Sequence, residues 1–454
     1  MTNLIDSLTG RTVRMVRTGA EVTVGRRLGA GGQGVVYEAT LGSRPLALKW
    51  LRGGPRIEQQ RASIDQLITR GQPHPAFTWP IDMVAADGWS GFGYLMPLLD
   101  KQKFTSLAAM LNSPDQPSFR VLVTISRELV DAFAALHGSG LCYRDINFGN
   151  LQVDVDRAEV AIIDIDNVGI DGADVFVRGT PRFMAPEIVR GDSLPCTVTD
   201  LYSLSVLLFH LFMHGHPLEG SRTDSSYNWS AAHISESDMA LLHYGIEPVF
   251  VYDPKDLSNR PLPGDAVEVW WQIYPQFLQR VFERAFTTGI WDASLSGRVT
   301  EGVWRRTLAR LADCISQCPH CRAARFWDPH VPDRKCWNCR AAAPRPPLLE
   351  VHNQQIVLSE GAPITSHHLS RDKNYRRAIG VVEAHPNRPG ALVVRNLSRR
   401  PWHIRPVGEE PKTVDPNQRM AVRAMTVDFG PIGRDGPVEG RIHDGADDIR
   451  GAQG

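Results

Sequence analysis

Apolar residues in this chain follow two rhythms, and the change from one to the other outlines its parts. Val22, Thr23 and Val24 precede a glycine-rich stretch and further apolar residues follow it, which predicts two strands joined by a glycine hairpin. A third strand-like run, Pro45-Leu46-Ala47-Leu48-Lys49-Trp50, comes next. Between Glu58 and Arg70 the period changes: Ile57, Ile64, Leu67 and Ile68 give partial helical spacing. Val160-Ala161-Ile162-Ile163 is a short β-like run, whereas Leu201 to Met213, broken by His210, has the length and apolarity of a buried helix and is too short to span a membrane. Past a Pro-rich stretch at Pro344, Pro346 and Pro347, short strands are predicted at 355–358, 378–382, 391–394 and 424–427.

Chemistry concentrates where these elements meet. In Leu141-Cys142-Tyr143-Arg144-Asp145-Ile146-Asn147-Phe148-Gly149-Asn150, an Asp stands five residues ahead of an Asn. Asp145 can orient a hydroxyl and accept its proton, and Asn150 can ligate a metal bound to nucleotide phosphates. Upstream, Gly29-Ala30-Gly31-Gly32-Gln33-Gly34-Val35-Val36 reads G-x-G-x-x-G-x-V. Its glycines let backbone N–H groups approach phosphate oxygens that a Cβ would obstruct. A dinucleotide fingerprint would need a helix after the turn, but a strand follows, and it carries Lys49 within reach of α- and β-phosphates. Asp164 ends the run at 160–163, nineteen residues after Asp145.

Gly179-Thr180-Pro181-Arg182-Phe183-Met184-Ala185-Pro186-Glu187, then Asp200 opening the apolar run, then Arg298, complete an ordered series. The series resembles the eukaryotic-like (Hanks-type) Ser/Thr protein kinases across roughly residues 20 to 312. It is most similar to bacterial members that carry Trp79-Pro80-Ile81-Asp82 and Gly93-Tyr94-Leu95-Met96-Pro97-Leu98 and then a zinc ribbon, in tellurite-resistance-type gene neighbourhoods. The resemblance implies an α+β two-lobe protein-kinase fold, with an N-lobe at 1–100 and a C-lobe at 101–313. It implies ATP with Mg2+ (or Mn2+), a protein substrate, and partners of von Willebrand A type and metal-dependent phosphatase type. Asp145, Lys49, Asn150 and Asp164 take the catalytic positions. Gly29, Gly31, Gly32, Gly34, Val36 and Lys49 surround the nucleotide, and Asn150 and Asp164 hold magnesium. The helix acid that pairs with Lys49 falls at Asp65, with Glu58 as the alternative. Glu187 pairs with Arg298, and Asp200 ties down the catalytic-loop backbone.

Departures from that family bear on mechanism. Ile165 and Asp166 replace the Phe and Gly of Asp-Phe-Gly, so Asp166 adds a carboxylate beside the metals, as a further magnesium ligand or a brace for the loop. Asn147 stands where these kinases place a Lys, and a neutral amide cannot offset transferring charge. Thr180 is the only hydroxyl residue between Asp164 and Glu187, so Arg144 has no ordinary phosphosite to receive; either Asp171 or Asp174 takes that place, or both are solvated loop residues. These features keep an ATP-binding scaffold, and another nucleotide-dependent transfer, open beside the kinase reading.

Cys318-Pro319-His320-Cys321 and Cys336-Trp337-Asn338-Cys339 are paired C-x-x-C knuckles, the spacing of a closed four-thiolate structural zinc ribbon (314–342). Of seven cysteines, Cys142, Cys196 and Cys314 remain without a disulfide framework, which points to a reducing cytoplasm. Fifty basic and fifty acidic residues cancel, so no global field draws the chain to nucleic acid or anionic lipid; Arg322, Arg325, Arg334, Lys335 and Arg340 around the ribbon are local. A linker at 343–350 leads to a β-sandwich-like module at 351–432, and a Gly- and Asp-rich tail at 433–454 is expected to be mobile. Arg395-Asn396-Leu397-Ser398 and Val427-Asp428-Phe429-Gly430 slightly resemble forkhead-associated domains, without that family's clear phosphothreonine signature. His214, His216, His367 and His368 read as surface or packing residues.

Overall fold

The structure, a computed structural model, describes residues 8–31, 34–172, 179–224, 235–331, 335–370, 374–431 and 436–445. Two compact units emerge: Met1–Pro117, Thr124–Glu268 and Val281–Arg305 form the first, and Ser118–Val123, Val269–Arg280 and Arg306–Gly454 the second.

The first unit opens with an antiparallel barrel of β1 (Thr12–Met15), β2 (Glu21–Ala30), β3 (Gly34–Leu41), β4 (Arg44–Leu51), β5 (Asp82–Ala85) and β6 (Phe92–Pro97). The barrel closes in the order β1-β2-β3-β4-β6-β5. Alternation decides the two faces of β4: Leu46, Leu48 and Trp50 enter the barrel core with Val35, Tyr37, Ala39 and Leu95, so Lys49 faces the other way. Pairing puts Lys49 opposite Val36 on β3 and Tyr94 on β6. The helix α1 (Ile57–Arg70) buries Ile64 and Leu67.

Below the barrel the first unit is helical. Helix Thr197–Met213 is buried at every position from Thr199 to Met213, the outcome its strong apolarity predicts. Its Asp200 accepts the backbone N–H groups of Tyr143 (2.5 Å) and Arg144 (2.9 Å), which lets Arg144 hold φ +75° at the start of the 144–150 loop. His137 bridges Asp200 (3.2 Å) and Glu301. Burial disfavours its imidazolium, but the two carboxylates outweigh burial and raise its pKa to about 9. A raised histidine pKa stabilises the fold fully below the unfolded value near 6.5, and the gain is lost as pH rises through about 9. His137→Gln should therefore be least stable relative to wild type below pH 6.5, with the gap in unfolding free energy closing towards pH 9. Parallel denaturant curves at pH 6, 7.5 and 9 check this; a gap independent of pH would contradict the ion-pair account.

The polar stretch after Tyr252, read as an insertion, is tied down by buried Asn259, whose amide donates to Leu218 O (2.9 Å) and Val249 O (2.7 Å).

Within the second unit, Phe119 stacks on Phe326 at 4.7 Å, and Trp270 lies 6.2 Å from Trp337. Two antiparallel sheets follow. One has six strands, in the order Gln354–Val357, Leu348–Val351, Pro437–His443, Met425–Pro431, Trp402–Pro406, Lys412–Val414; the other has four, Pro363–Thr365, Ala378–Ala384, Leu392–Asn396, Arg419–Ala421. A shared core around Trp402, Ile364, Val394 and Val427 joins them. Two boundaries need correction. Leu348–Val351 is a strand and not linker, and Pro437–His443 is not mobile tail: it lies inside the six-stranded sheet and buries Val438, Gly440 and Ile442 in alternation. Gly and Pro in that strand hid its period-2 pattern. The residues from 446 onward lie outside those described.

Candidate active site and cysteine cluster

The glycine hairpin joins β2 to β3, with Gly29 paired to Val36 and the Gly31 N–H bonded to Gly34 O at 2.9 Å. A Cβ on Gly29 or Gly31 would meet nothing within 4 Å, whereas one on Gly34 would strike Trp50 O at 2.2 Å. Packing therefore explains Gly34 alone. Among the described residues nothing requires Gly29 and Gly31 to lack side chains, which fits access of a ligand to their backbone. Gly32 lies outside the described residues. Half-buried Val36 shares the Lys49 face by register.

Lys49 is buried, and its ammonium binds Asp164 and both oxygens of Asp166, at 2.7 and 2.6 Å. Tyr94, fully buried, donates to Asp166 at 2.8 Å. Burial disfavours the Lys49 ammonium, but Asp166 and then Asp164 outweigh it and hold its pKa above the ordinary lysine value. Asp164 sits in the left-handed region at φ +63°, and Asn167 donates to it at 3.3 Å. The expected Asp65 partner is not at Lys49: Asp65 accepts Arg17 at 2.9 Å, because α1 turns Ile64 and Leu67 inward and leaves Asp65 on its flank. Glu58 is exposed. The Asp166 oxygens accept from Lys49 and Tyr94.

Asp145 lies in a second polar group. Asn150 donates to its backbone oxygen (2.9 Å) and its carboxylate (3.2 Å), and Thr180 donates to its other oxygen at 2.8 Å. Asn147 donates to Thr180 (3.1 Å) and Asp145 O (3.2 Å), and its carbonyl caps the turn Phe148–Asn150. The Asn150 amide nitrogen is spent on Asp145, and its carbonyl oxygen and the Asp164 carboxylate would make a hard oxygen donor set that fits Mg2+. Tyr143 donates to Ile163 O and so links the 144–150 loop to the strand leading into Asp164. Asp171 is not against Arg144: it accepts the Thr197 N–H at 2.7 Å, while Arg144 donates to Ile170 O at 3.0 Å. Asp174 lies outside the described residues. Glu187 and Arg298 form the expected pair, buried, with Arg298 also donating to Gly289 O.

In the second unit, Cys318, Cys321, Cys336 and Cys339 converge, with Cys318–Cys339 and Cys321–Cys336 sulfurs each 3.7 Å apart. A tetrahedral ZnS4 site with bonds near 2.3 Å has S···S edges of about 3.8 Å, so the four thiols fit zinc. The knuckles match: each first Cys N–H bonds an Ala carbonyl, Ala323 or Ala341, and Arg322 and Arg340 take φ +62° and +61°. Asp313, His367 and His368 also cluster. His368 Nδ1 accepts the Thr365 N–H at 3.1 Å, so its proton sits on Nε2 and points to Asp313 at 3.1 Å. That nitrogen has no lone pair for a metal, and the pair is a packing contact. His216 is likewise committed, to Arg182 O (2.7 Å) and the Leu218 N–H (3.1 Å).

The sequence reading missed Tyr94 and the ion-pair role of Asp166. The one signal for Tyr94 was its strand alternation, which is silent until pairing with β4 is known.

The protein kinase domain family model matches residues 22–251, about half of the chain, and the chain belongs to that family. It is similar to Protein kinase YegI of Escherichia coli (strain K12), 24% identical over 317 residues, covering 66% of this chain and 46% of that one. It is also similar to Serine/threonine-protein kinase PkaB of Streptomyces coelicolor, 23% identical over 300 residues (63% and 64%). Serine/threonine-protein kinase pkn3 of Myxococcus xanthus is 31% identical over 127 residues (25% and 22%). The chain thus spans less than two thirds of the length of these curated relatives. Among the described residues, no helix is long and apolar enough to cross a membrane.

Proposed function

We propose that this protein kinase transfers the γ-phosphoryl group of ATP to a Ser or Thr hydroxyl of a protein substrate. The observation that carries the reading is the placement of Asp145, bonded by Asn150 and Thr180, beside a turn that carries Asp164 against Lys49. Asp145 is the base that orients the hydroxyl and takes its proton. Lys49 and the backbone of Gly29, Gly31 and Gly34 hold the phosphates. Asn150 and Asp164 would hold Mg2+, which neutralises charge on the transferring group when bound. The Asn147 amide is engaged with Thr180 and carries no charge with which to stand in for the usual lysine, so turnover is expected to be slow. The same observation favours a second reading, an ATP-binding scaffold acting through the cysteine cluster and β module. The partners of von Willebrand A and phosphatase type, and a cytoplasmic setting, belong to this proposal too. Incubation with γ-labelled and separately α-labelled ATP decides between these readings. Label from γ-ATP alone on Ser or Thr supports the kinase, label from α-ATP shows nucleotide transfer, and ATP binding without label supports the scaffold.

The four thiols make up a structural zinc site in this reading. Purified protein should carry one zinc per chain, and Cys336→Ser should carry close to none while keeping ATP affinity. Metal content by mass spectrometry is the check; unchanged zinc in the variant would exclude the site.

A further inference from the structure

We infer that Asp166, held by Tyr94, is the residue that positions Lys49, in place of a carboxylate on α1. The inference rests on the nucleotide-site reading above and deepens it. Register is the first support: Lys49 and Tyr94 are directly opposed on β4 and β6, so both side chains leave the barrel on one face and meet at Asp166. Geometry is the second. Both Asp166 oxygens lie within 2.7 Å of the ammonium, the tyrosine hydroxyl binds one of them at 2.8 Å, and the Asp166 side chain is only 3% exposed. A buried ion pair with a third donor satisfying it is a defined, rigid arrangement. The third support is the helix itself, where Asp65 is taken by Arg17 and Glu58 is exposed.

Asp164 binds the same ammonium. If Asp166 were neutral, Asp164 would be the only counter-ion left for Lys49 among the described residues, and it would have to serve lysine and Mg2+ together. With Asp166 present, Asp164 can turn to a cation while Lys49 stays neutralised and aimed. Asp166, with both oxygens on the buried ammonium and one also on Tyr94, acts as a positioning residue. The lysine anchor and the metal carboxylate therefore share one short turn, Asp164 to Asn167, and displacement of α1 does not uncouple Lys49.

The test uses full-length protein and Asp166→Asn, Tyr94→Phe and the double variant Glu58→Ala/Asp65→Ala, with folding monitored by thermal melting. Affinity for Mg·ATP and, where turnover is measurable, KM, kcat and the Mg2+ dependence are read. Asp166→Asn should weaken Mg·ATP binding about tenfold and lower kcat/KM by about 100-fold, with half-saturating Mg2+ unchanged. Tyr94→Phe, which keeps the volume, should move the same constants in the same direction by less. The Glu58/Asp65 variant should stay within about twofold of wild type. Wild-type affinity and kinetics in Asp166→Asn, recovery of that variant by excess Mg2+, or an equal loss in the α1 variant would each overturn the inference. A wild type that binds Mg·ATP without transferring phosphate defeats the kinase reading alone, since the affinity comparison still decides the role of Asp166. A wild type that binds no nucleotide overturns both.

Discussion

Asp145→Asn should lose phosphoryl transfer by about 1,000-fold while still binding Mg·ATP, the magnitude general-base removal costs. Asp145 accepts from Thr180 at 2.8 Å and from Asn150 at 3.2 Å, so its carboxylate is held by hydrogen bonds on both oxygens. An asparagine preserves the size of the side chain and one acceptor, but it cannot take the hydroxyl proton. Lys49, Asp164 and the glycine hairpin lie on other segments, so nucleotide affinity should stay within a few-fold of wild type. Single-turnover transfer of γ-label, alongside ATP titration, separates the two effects. Transfer within tenfold of wild type would remove Asp145 from the base role.

Arg298→Met should destabilise the first unit by about 4 kcal/mol, because it strands the Glu187 carboxylate in a buried site without its cation. The side chains of Arg298 and Glu187 are 1% and 8% exposed, and the Arg298 guanidinium also lies 4.9 Å from the centre of the Tyr202 ring. Leaving one charge unpaired is costlier than removing both, so Glu187→Met/Arg298→Met should be more stable than Arg298→Met alone. Denaturant unfolding of wild type, both single variants and the double variant completes the cycle. A loss below about 1 kcal/mol in Arg298→Met, or strictly additive losses, would show that the pair is not a coupled structural tie.

Much of the site was legible because its chemistry is local. Gly29, Gly31 and Gly34 in a hairpin, Lys49 on the next strand, and Asp145 and Asn150 on one short loop need only neighbouring residues to be recognised. The same holds for the cysteine knuckles, where a turn and its two thiols lie within a few residues. Asp65 shows where this reasoning stops. Counting along a helix located an acid, but the rotation of α1 on the barrel turned that acid to Arg17 and the apolar residues inward. Pro437–His443 shows the same limit in the β module, because its composition resembles a tail and only its two neighbouring strands make it a sheet member.

The sequence by itself determined the family, the order of the glycine hairpin, the lysine strand and the Asp145–Asn150 loop, the fourfold cysteine set and the all-β end. These follow from spacings within single elements and from periodicity along them. The tertiary structure alone decided which charges meet. Lys49 and Asp166 are 117 residues apart, and Glu187 and Arg298 are 111 apart. Tyr94 joins the first pair because β6 runs antiparallel beside β4 in one particular register. Ion-pair partners are chosen by the side chains that packing and register bring into a low-dielectric space, and that selection is not written in the spacing of any single segment.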